Sequence, residues 1–79
     1  MENILIMEKI EITSENIQLD QFLKWANIVE SGGKAKILIQ AGKIRVNGEI
    51  EKRRSCKIKP GDLITILGTN EKYQVISSE

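Results

Sequence analysis

The sequence has few of the residue types on which enzymes and secreted proteins depend. It contains no histidine, one cysteine and three aromatic residues among its 79 positions. Without histidine, Ser-His-Asp and Cys-His catalysis and the commonest general base are excluded. One cysteine cannot form an internal disulfide, and a metal site would need carboxylate ligands alone, so we expect no metal and no cofactor. Three aromatic side chains also argue against a platform that stacks single-stranded nucleic acid.

Long apolar runs are absent as well. The wholly apolar stretches, such as residues 37–39, are far too short to cross a bilayer. The first 12 residues include three glutamates and no early basic cluster, which is unlike a secretory signal. We therefore expect a cytoplasmic protein with no membrane contact. A chain of this length has room for one small core, so we expect a single domain over residues 1–79, with its centre at about residues 18–67.

Positive charge is concentrated in one segment of the chain. Residues 34–59 contain nine of the 12 basic residues and two of the 11 acidic ones, a net charge of +7. The rest of the chain has three basic and nine acidic residues, a net charge of −6. An ordinary solvated surface can carry runs of charge, but this separation favours a functional surface that faces a polyanion.

Two elements are predicted before the basic segment. Residues 7–13 alternate between polar and apolar, which predicts a short strand, and residues 14–16 supply a turn and a helix cap. Apolar residues then recur with helical spacing at Leu19, Phe22, Leu23 and Ala26. This spacing predicts an amphipathic helix. Trp25 lies at the edge of the stripe, where it either borders the core or stacks on a base.

A second helix is predicted to begin after Ser31, whose hydroxyl can cap it, and to end at Gly42, where a left-handed residue belongs. Its buried face is expected to consist of Ala35, Leu38 and Ile39. Basic side chains in a first turn oppose the helix dipole and cost some stability. Two glycines, free N–H groups and the two ammonium groups of this turn would nevertheless bind a phosphate well. The alternative is that the Gly-Gly pair is only a loose cap.

A β-hairpin is predicted directly after this helix. An Asn-Gly pair at residues 47–48 is a strong hairpin signal. A turn of three residues rather than two would pair Val46 with Ile50 and keep the apolar side chains on one face, so we predict the longer turn. That register also pairs Arg45 with Glu51, which would offset part of the charge of Arg45.

The rest of the chain is predicted to be turn and strand. Residues 59–62 (KPGD) place proline and glycine in the order of a type II turn, and residues 63–67 favour a strand. A last strand around residues 73–76 is predicted to pair with the first strand and close the sheet. The sequence thus predicts an α+β fold, in which a two-helix hairpin packs on a small, mainly antiparallel sheet of about four to five strands.

Several short motifs occur together in one order: LDQFL at 19–23, Ser31 with Ala35-Lys36, Ile39 with Gly42, VNG at 46–48 and KPGD at 59–62. Their order and spacing resemble those of the S-four RNA-binding domain, the alpha-L motif named after a small-subunit ribosomal protein. The GGKAK and EKRRSCKIKPGD segments are similar to the small stand-alone bacterial members, the YaaA/YbcJ-like group. One departure is Gly32, since many members have an arginine directly after the serine that opens the second helix.

The resemblance implies a monomeric, non-catalytic protein that binds structured RNA, with ribosomal RNA or a ribosomal subunit as the first partner and transfer RNA as the next. Ribosome assembly or translation would be its setting. The predicted RNA-binding residues lie on the helices, the hairpin and the basic segment: Lys24, Ser31, Gly32, Gly33, Lys34, Lys36, Gln40, Lys43, Arg45, Lys52, Arg53, Arg54 and Lys57.

Two other functions compete with this interpretation. The first is a protein-interaction adaptor that docks its basic surface on an acidic protein. The second is a small enzyme that relies on Cys56 or on carboxylates. The basic neighbours of Cys56 would favour a thiolate, but nothing in the sequence assembles a nucleophile, a base and an orienting group. A half-buried strand residue is the simpler role for Cys56.

Overall fold

A computed structural model describes residues 7–78 and contains seven strands and two helices in that range. In chain order they are β1 (Met7–Ile12), β2 (Ile17–Gln18), α1 (Leu19–Trp25), α2 (Gly32–Gln40), β3 (Ile44–Val46), β4 (Glu49–Ile50), β5 (Lys57–Ile58), β6 (Leu63–Ile66) and β7 (Glu71–Ser77). Five strands form one sheet in the order β1-β7-β6-β3-β4, and β2 pairs with β5 in a separate small sheet. The predicted α+β architecture is confirmed. None of the helices in this range is long and apolar enough to span a membrane.

The core consists of apolar side chains from both helices, from one face of the main sheet and from β5 of the small sheet. The buried residues are Ile12, Leu19, Phe22, Leu23, Ala35, Ile39, Ile44, Ile58, Ile64, Ile66, Tyr73 and Val75. Each fully buried large aliphatic or aromatic side chain stabilises the fold by about 1.5–3 kcal/mol relative to its exposed state. Most of the stripe predicted for each helix therefore points inward. The exceptions are Ala26, which follows the last residue of α1, and Leu38, and both are half-buried.

The start of α1 differs from the prediction. Its N-cap is Gln18, which makes no side-chain cap, and β2 separates the helix from the predicted cap at residues 14–16. The N–H groups of Leu19 and Asp20 instead donate to the carbonyls of Cys56 (2.7 Å) and Arg54 (3.1 Å). The N–H groups in the first turn of a helix need acceptors from outside the helix, and here the carbonyls of residues 54 and 56 provide them.

Trp25 anchors α1 to β1 from the surface. Its ring is 55% exposed, and its indole N–H donates to the carbonyl of Glu11 at 2.7 Å. The side chain therefore borders solvent more than core, and its one polar group is already bonded.

The predicted three-residue hairpin turn is wrong. The register pairs Val46 with Glu49 and Arg45 with Ile50, so the turn contains two residues, Asn47 and Gly48. Their φ angles, 52° and 88°, are both positive, as a type I′ turn requires. The alternation argument failed because Ile50 is not buried: its side chain is 51% exposed.

The side chain of Asn47 explains why the shorter turn forms. Its Nδ2 donates to Asp62 Oδ1 at 3.0 Å, and its Oδ1 accepts from the N–H of Leu63 at 2.9 Å. Both partners lie at the start of β6, so the hairpin is fixed to the neighbouring strand through the amide. An asparagine with positive φ suits this role because it tolerates the left-handed region.

The turn and strand predicted at the end of the chain are confirmed. Gly61 has a φ of 100°, and the N–H of Asp62 donates to the carbonyl of Lys59 at 3.0 Å, which fits a type II turn. The last strand, β7, pairs with β1 as predicted, with Ile10 opposite Val75. This pair is parallel, so the sheet is mixed.

Candidate nucleic-acid interface

The first turn of α2 has the predicted cap. Ser31 is extended, with φ −150° and ψ 164°, and its hydroxyl accepts from the N–H of Lys34 at 3.3 Å. A side chain at Gly32 would meet nothing within 4 Å, and one at Gly33 would meet only Ser31 Oγ at 3.9 Å. The backbone here is therefore open to a large ligand such as a phosphate, which is the approach that the sequence predicted.

The outward face of α2 carries the polar residues predicted for this helix. Lys34, Lys36 and Gln40 are exposed, whereas Ala35 and Ile39 on the other face are buried. Lys34 Nζ lies 3.7 Å from Glu30 Oε1, but both side chains are largely exposed. Such a surface pair contributes roughly 0–1 kcal/mol, so Lys34 can readily exchange this partner for a phosphate.

The hairpin brings a second group of cations to the end of α2. Gly42 is left-handed, with φ 76°, and ends the helix as predicted. A side chain at this position would lie 3.5 Å from Lys52 Cε and 3.8 Å from Ile50 Cγ2. The segment after β4 therefore folds back over the helix end, where Lys43 is also exposed. Lys43 and Lys52 are nine residues apart in the sequence, but both lie next to the end of α2. We call this place the corner at Gly42.

Arg45 lies on the outer face of the main sheet. Its two neighbours in the chain, Ile44 and Val46, point to the core face, whereas Arg45 itself is exposed. Across the sheet, the register aligns Arg45 with Ile50 on β4 and Thr65 on β6. The predicted pair with Glu51 is wrong because the two-residue turn shifts the register by one residue.

The carboxylate of Glu51 is instead bound by Arg53. Arg53 Nε donates to Glu51 Oε2 at 3.0 Å and Arg53 Nη2 to Oε1 at 3.2 Å, and the Arg53 backbone N–H adds a third bond at 3.0 Å. These hydrogen bonds lower the pKa of Glu51 from 4.5 to about 2. Part of the charge of Arg53 is therefore offset within the protein. Arg54 is exposed, and no ion pair is found for it among residues 7–78.

The remaining predicted residues lie around α1. Lys24 is exposed in the last turn of this helix. Lys57 is exposed on β5, opposite Gln18 at the start of the helix. The structure therefore places exposed cations on α2, next to its end at Gly42, and along residues 52–57, and it places Lys24 and Lys57 at opposite ends of α1.

The surroundings of Cys56 disfavour its thiolate form. The residue is half-buried just before β5, and burial, followed by the charge of Glu51 and a hydrogen bond with it, raises the pKa of its thiol. Arg53 lowers the pKa of this thiol, as the sequence suggested for a basic neighbour, but burial and Glu51 outweigh it. The half-buried position agrees with the simpler role given to Cys56. Within residues 7–78, no group of three or more His, Cys, Asp or Glu side chains is placed to hold a metal ion.

Sequence reasoning missed one residue of this surface, Ile37. It is 67% exposed and lies among the polar side chains of the outward face of α2. The spacing of the helix could have predicted its exposure, because Ile37 falls outside the buried stripe formed by Ala35, Leu38 and Ile39. Its position in the apolar run at residues 37–39 instead suggested a buried side chain.

Comparison with known proteins identified a family and several relatives. The S4 domain family matches residues 10–76 of the chain. "Probable ribosome maturation protein RlbA" of Bacillus subtilis (strain 168) is 40% identical over 68 residues, which cover 86% of this chain and 94% of the relative. "Putative RNA-binding protein YbcJ" of Escherichia coli (strain K12) is 38% identical over 53 residues, 67% of this chain and 76% of the relative.

A solved structure has a similar fold over nearly the whole chain. The solution structure of YbcJ from E. coli, described as revealing an alpha-L motif involved in RNA binding, superposes with a TM-score of 0.68. The two chains are 28% identical in this comparison, which covers 96% of this chain and 95% of the other. The arrangement of two helices on a sheet is thus shared with that motif.

Proposed function

Because the chain belongs to the S4 domain family, we propose that it is a non-catalytic RNA-binding protein that grips structured RNA through α2 and the hairpin that follows it. The observation that supports the proposal is a group of exposed cations on α2 and next to its end. Lys34 and Lys36 lie on α2, Lys43 and Lys52 flank its end, and Arg54 follows. Such side chains bind phosphates and release counterions.

Ribosomal RNA is the first partner to test, and transfer RNA the second. The name of the B. subtilis relative describes ribosome maturation, and that of the E. coli relative describes RNA binding. A role in ribosome assembly or translation follows from the same names, and it implies a cytoplasmic protein. We propose that the protein acts as a monomer and without a cofactor.

The contributions of the predicted residues are unequal. Arg53 is expected to contribute less than Arg54 because it is bound to Glu51. Arg45 lies on the outer sheet face and Lys24 in the last turn of α1, so neither belongs to α2. We therefore assign both to the margin of the interface. The centre is α2 together with the corner at Gly42.

A charge-reversal experiment tests the proposal. Lys34→Glu combined with Lys36→Glu is compared with Lys9→Glu combined with Lys72→Glu, which changes the net charge equally on β1 and β7, away from α2 and the hairpin. Binding to ribosomal RNA is measured by filter retention, and folding by circular dichroism. We expect the first variant to lose roughly tenfold or more in affinity and the second to lose much less.

An equal loss in both variants would show only a nonspecific response to net charge and would contradict the assigned surface. A second arm separates RNA from an acidic protein partner. Material captured from cells with the wild-type protein is compared before and after ribonuclease treatment. Retention of a protein partner after the RNA is destroyed would favour an adaptor instead.

A further inference from the structure

Ile37 is an apolar side chain at the centre of the proposed RNA-binding face. It is the most exposed of the large apolar residues in the described range, at 67%. Helix geometry places Gly33, Lys34 and Gln40 around it, since residues three and four apart are neighbours on a helix surface. A phosphate contact gains nothing from an isoleucine, so this position calls for a different kind of ligand group.

An open groove lies directly beside Ile37. The link between the helices contributes Ile28 and Val29 to it, and α2 contributes Ile37 and Leu38. Its volume is about 460 Å³, and its lining is largely apolar. Glu30 and Lys34 form its polar rim, where their charged atoms lie 3.7 Å apart.

The position of the groove, beside the exposed cations of α2, favours a nucleotide as its occupant. A nucleobase has flat faces that pack between apolar side chains, and it is attached to an anionic backbone. Lys34 at the rim provides a cation for that backbone when it exchanges Glu30 for a phosphate, whereas Lys36 lies on another side of the helix. Bases within a continuous duplex are stacked and cannot enter such a groove, whereas those of bulges and loops can.

We propose, on the basis of the function proposed above, that the groove beside Ile37 binds one unpaired base of the target RNA while the adjoining phosphate lies on Lys34. The substrate class is then structured RNA with a bulged or looped nucleotide, not a continuous helix. The duplex portion supplies phosphates to the basic surface, and the unpaired base adds selectivity.

Three synthetic RNA hairpins of matched sequence test the inference: one with a single bulged adenosine, one with an abasic bulge and one fully paired. Their affinities are measured for the wild type and for Ile37→Ser. Ile50→Ser is the control, since Ile50 is also an exposed isoleucine, at 51%, but does not line the groove. Both changes are at exposed positions, and circular dichroism checks that each variant is folded.

We expect the wild type to bind the adenosine bulge about tenfold more tightly than the abasic and paired hairpins. Ile37→Ser should lose this preference but still bind the paired hairpin, and Ile50→Ser should keep the preference. Equal wild-type affinity for the three RNAs would overturn the inference and leave the proposed function standing. A preference that survives in Ile37→Ser, or that Ile50→Ser also removes, would overturn it too. Failure to bind any of the hairpins or ribosomal RNA would instead overturn the proposed function.

Discussion

The contact between Glu51 and Arg53 changes which cations near the hairpin are expected to be available to RNA. Residues 51–57 contain four cations, but two side-chain hydrogen bonds and one backbone bond commit Arg53 to Glu51. The sequence suggested that Arg45 would be offset, whereas the structure offsets Arg53. Arg54, which is exposed and has no ion pair among residues 7–78, is therefore a better candidate for RNA contact than Arg53.

This contact predicts a pH-dependent stability difference. The pKa of Glu51 is lowered from 4.5 to about 2, so its stabilising effect is fully present above pH 4.5 and is lost as the pH falls towards 2. Glu51→Gln should therefore lower the free energy of unfolding at neutral pH by up to about 1 kcal/mol, a small value because Arg53 is mostly exposed. Urea unfolding at neutral pH and near the folded pKa would measure the loss and its disappearance. A difference that stays constant with pH would contradict the assignment, and Glu49→Gln, on the same hairpin, serves as the control.

Local sequence patterns correctly predicted the helices and caps that depend on residues close together in the sequence. The stripe at Leu19, Phe22 and Leu23 and the cap at Ser31 could be read directly because helix periodicity and capping involve residues within one or two turns. The basic residues of the candidate site were predictable for the same reason, since charged side chains in a short domain are exposed by default.

The failures came from contacts between distant residues. The hairpin register depends on Asn47 bonding to Asp62 and Leu63, and the start of α1 depends on carbonyls of the basic segment. Strands β2 and β5 have only two residues each, too few for an alternation pattern. The groove beside Ile37 likewise exists only because the interhelical link packs next to α2.

Replacing glycine by alanine is expected to have opposite effects on stability at the two ends of α2. Gly42→Ala forces a side chain into the left-handed region, at φ 76°, so we expect a loss of about 1–2 kcal/mol. The added methyl group would lie 3.5 Å from Lys52 Cε, an ordinary contact that adds no strain. Gly32→Ala meets nothing within 4 Å and should stabilise the protein by about 0.4–1 kcal/mol. Thermal and urea unfolding would measure both. A stabilised Gly32→Ala variant that binds RNA more weakly would support close phosphate approach at this glycine, whereas destabilisation at Gly32 would contradict the open geometry.

The whole molecule is nearly neutral, yet its charges are separated along the chain. A net charge of +1 combines a segment of +7 with a remainder of −6. The positive part attracts a polyanion, and the negative part limits indiscriminate association. This arrangement implies that RNA affinity depends on a few local phosphate contacts and not on the overall charge.

Salt dependence separates these phosphate contacts from the apolar contact proposed at Ile37. The logarithm of the RNA association constant should fall linearly with the logarithm of salt concentration, at about 0.7–0.9 per phosphate contacted. Lys34→Gln combined with Lys36→Gln removes two cations and should make the slope shallower by about 1.5. Ile37→Ser should weaken binding to a bulged RNA at every salt concentration and leave the slope unchanged, because an apolar contact releases no counterions. Titrations at several salt concentrations with the same RNA would measure both quantities, and an unchanged slope in the lysine variant would remove α2 from the phosphate-binding surface.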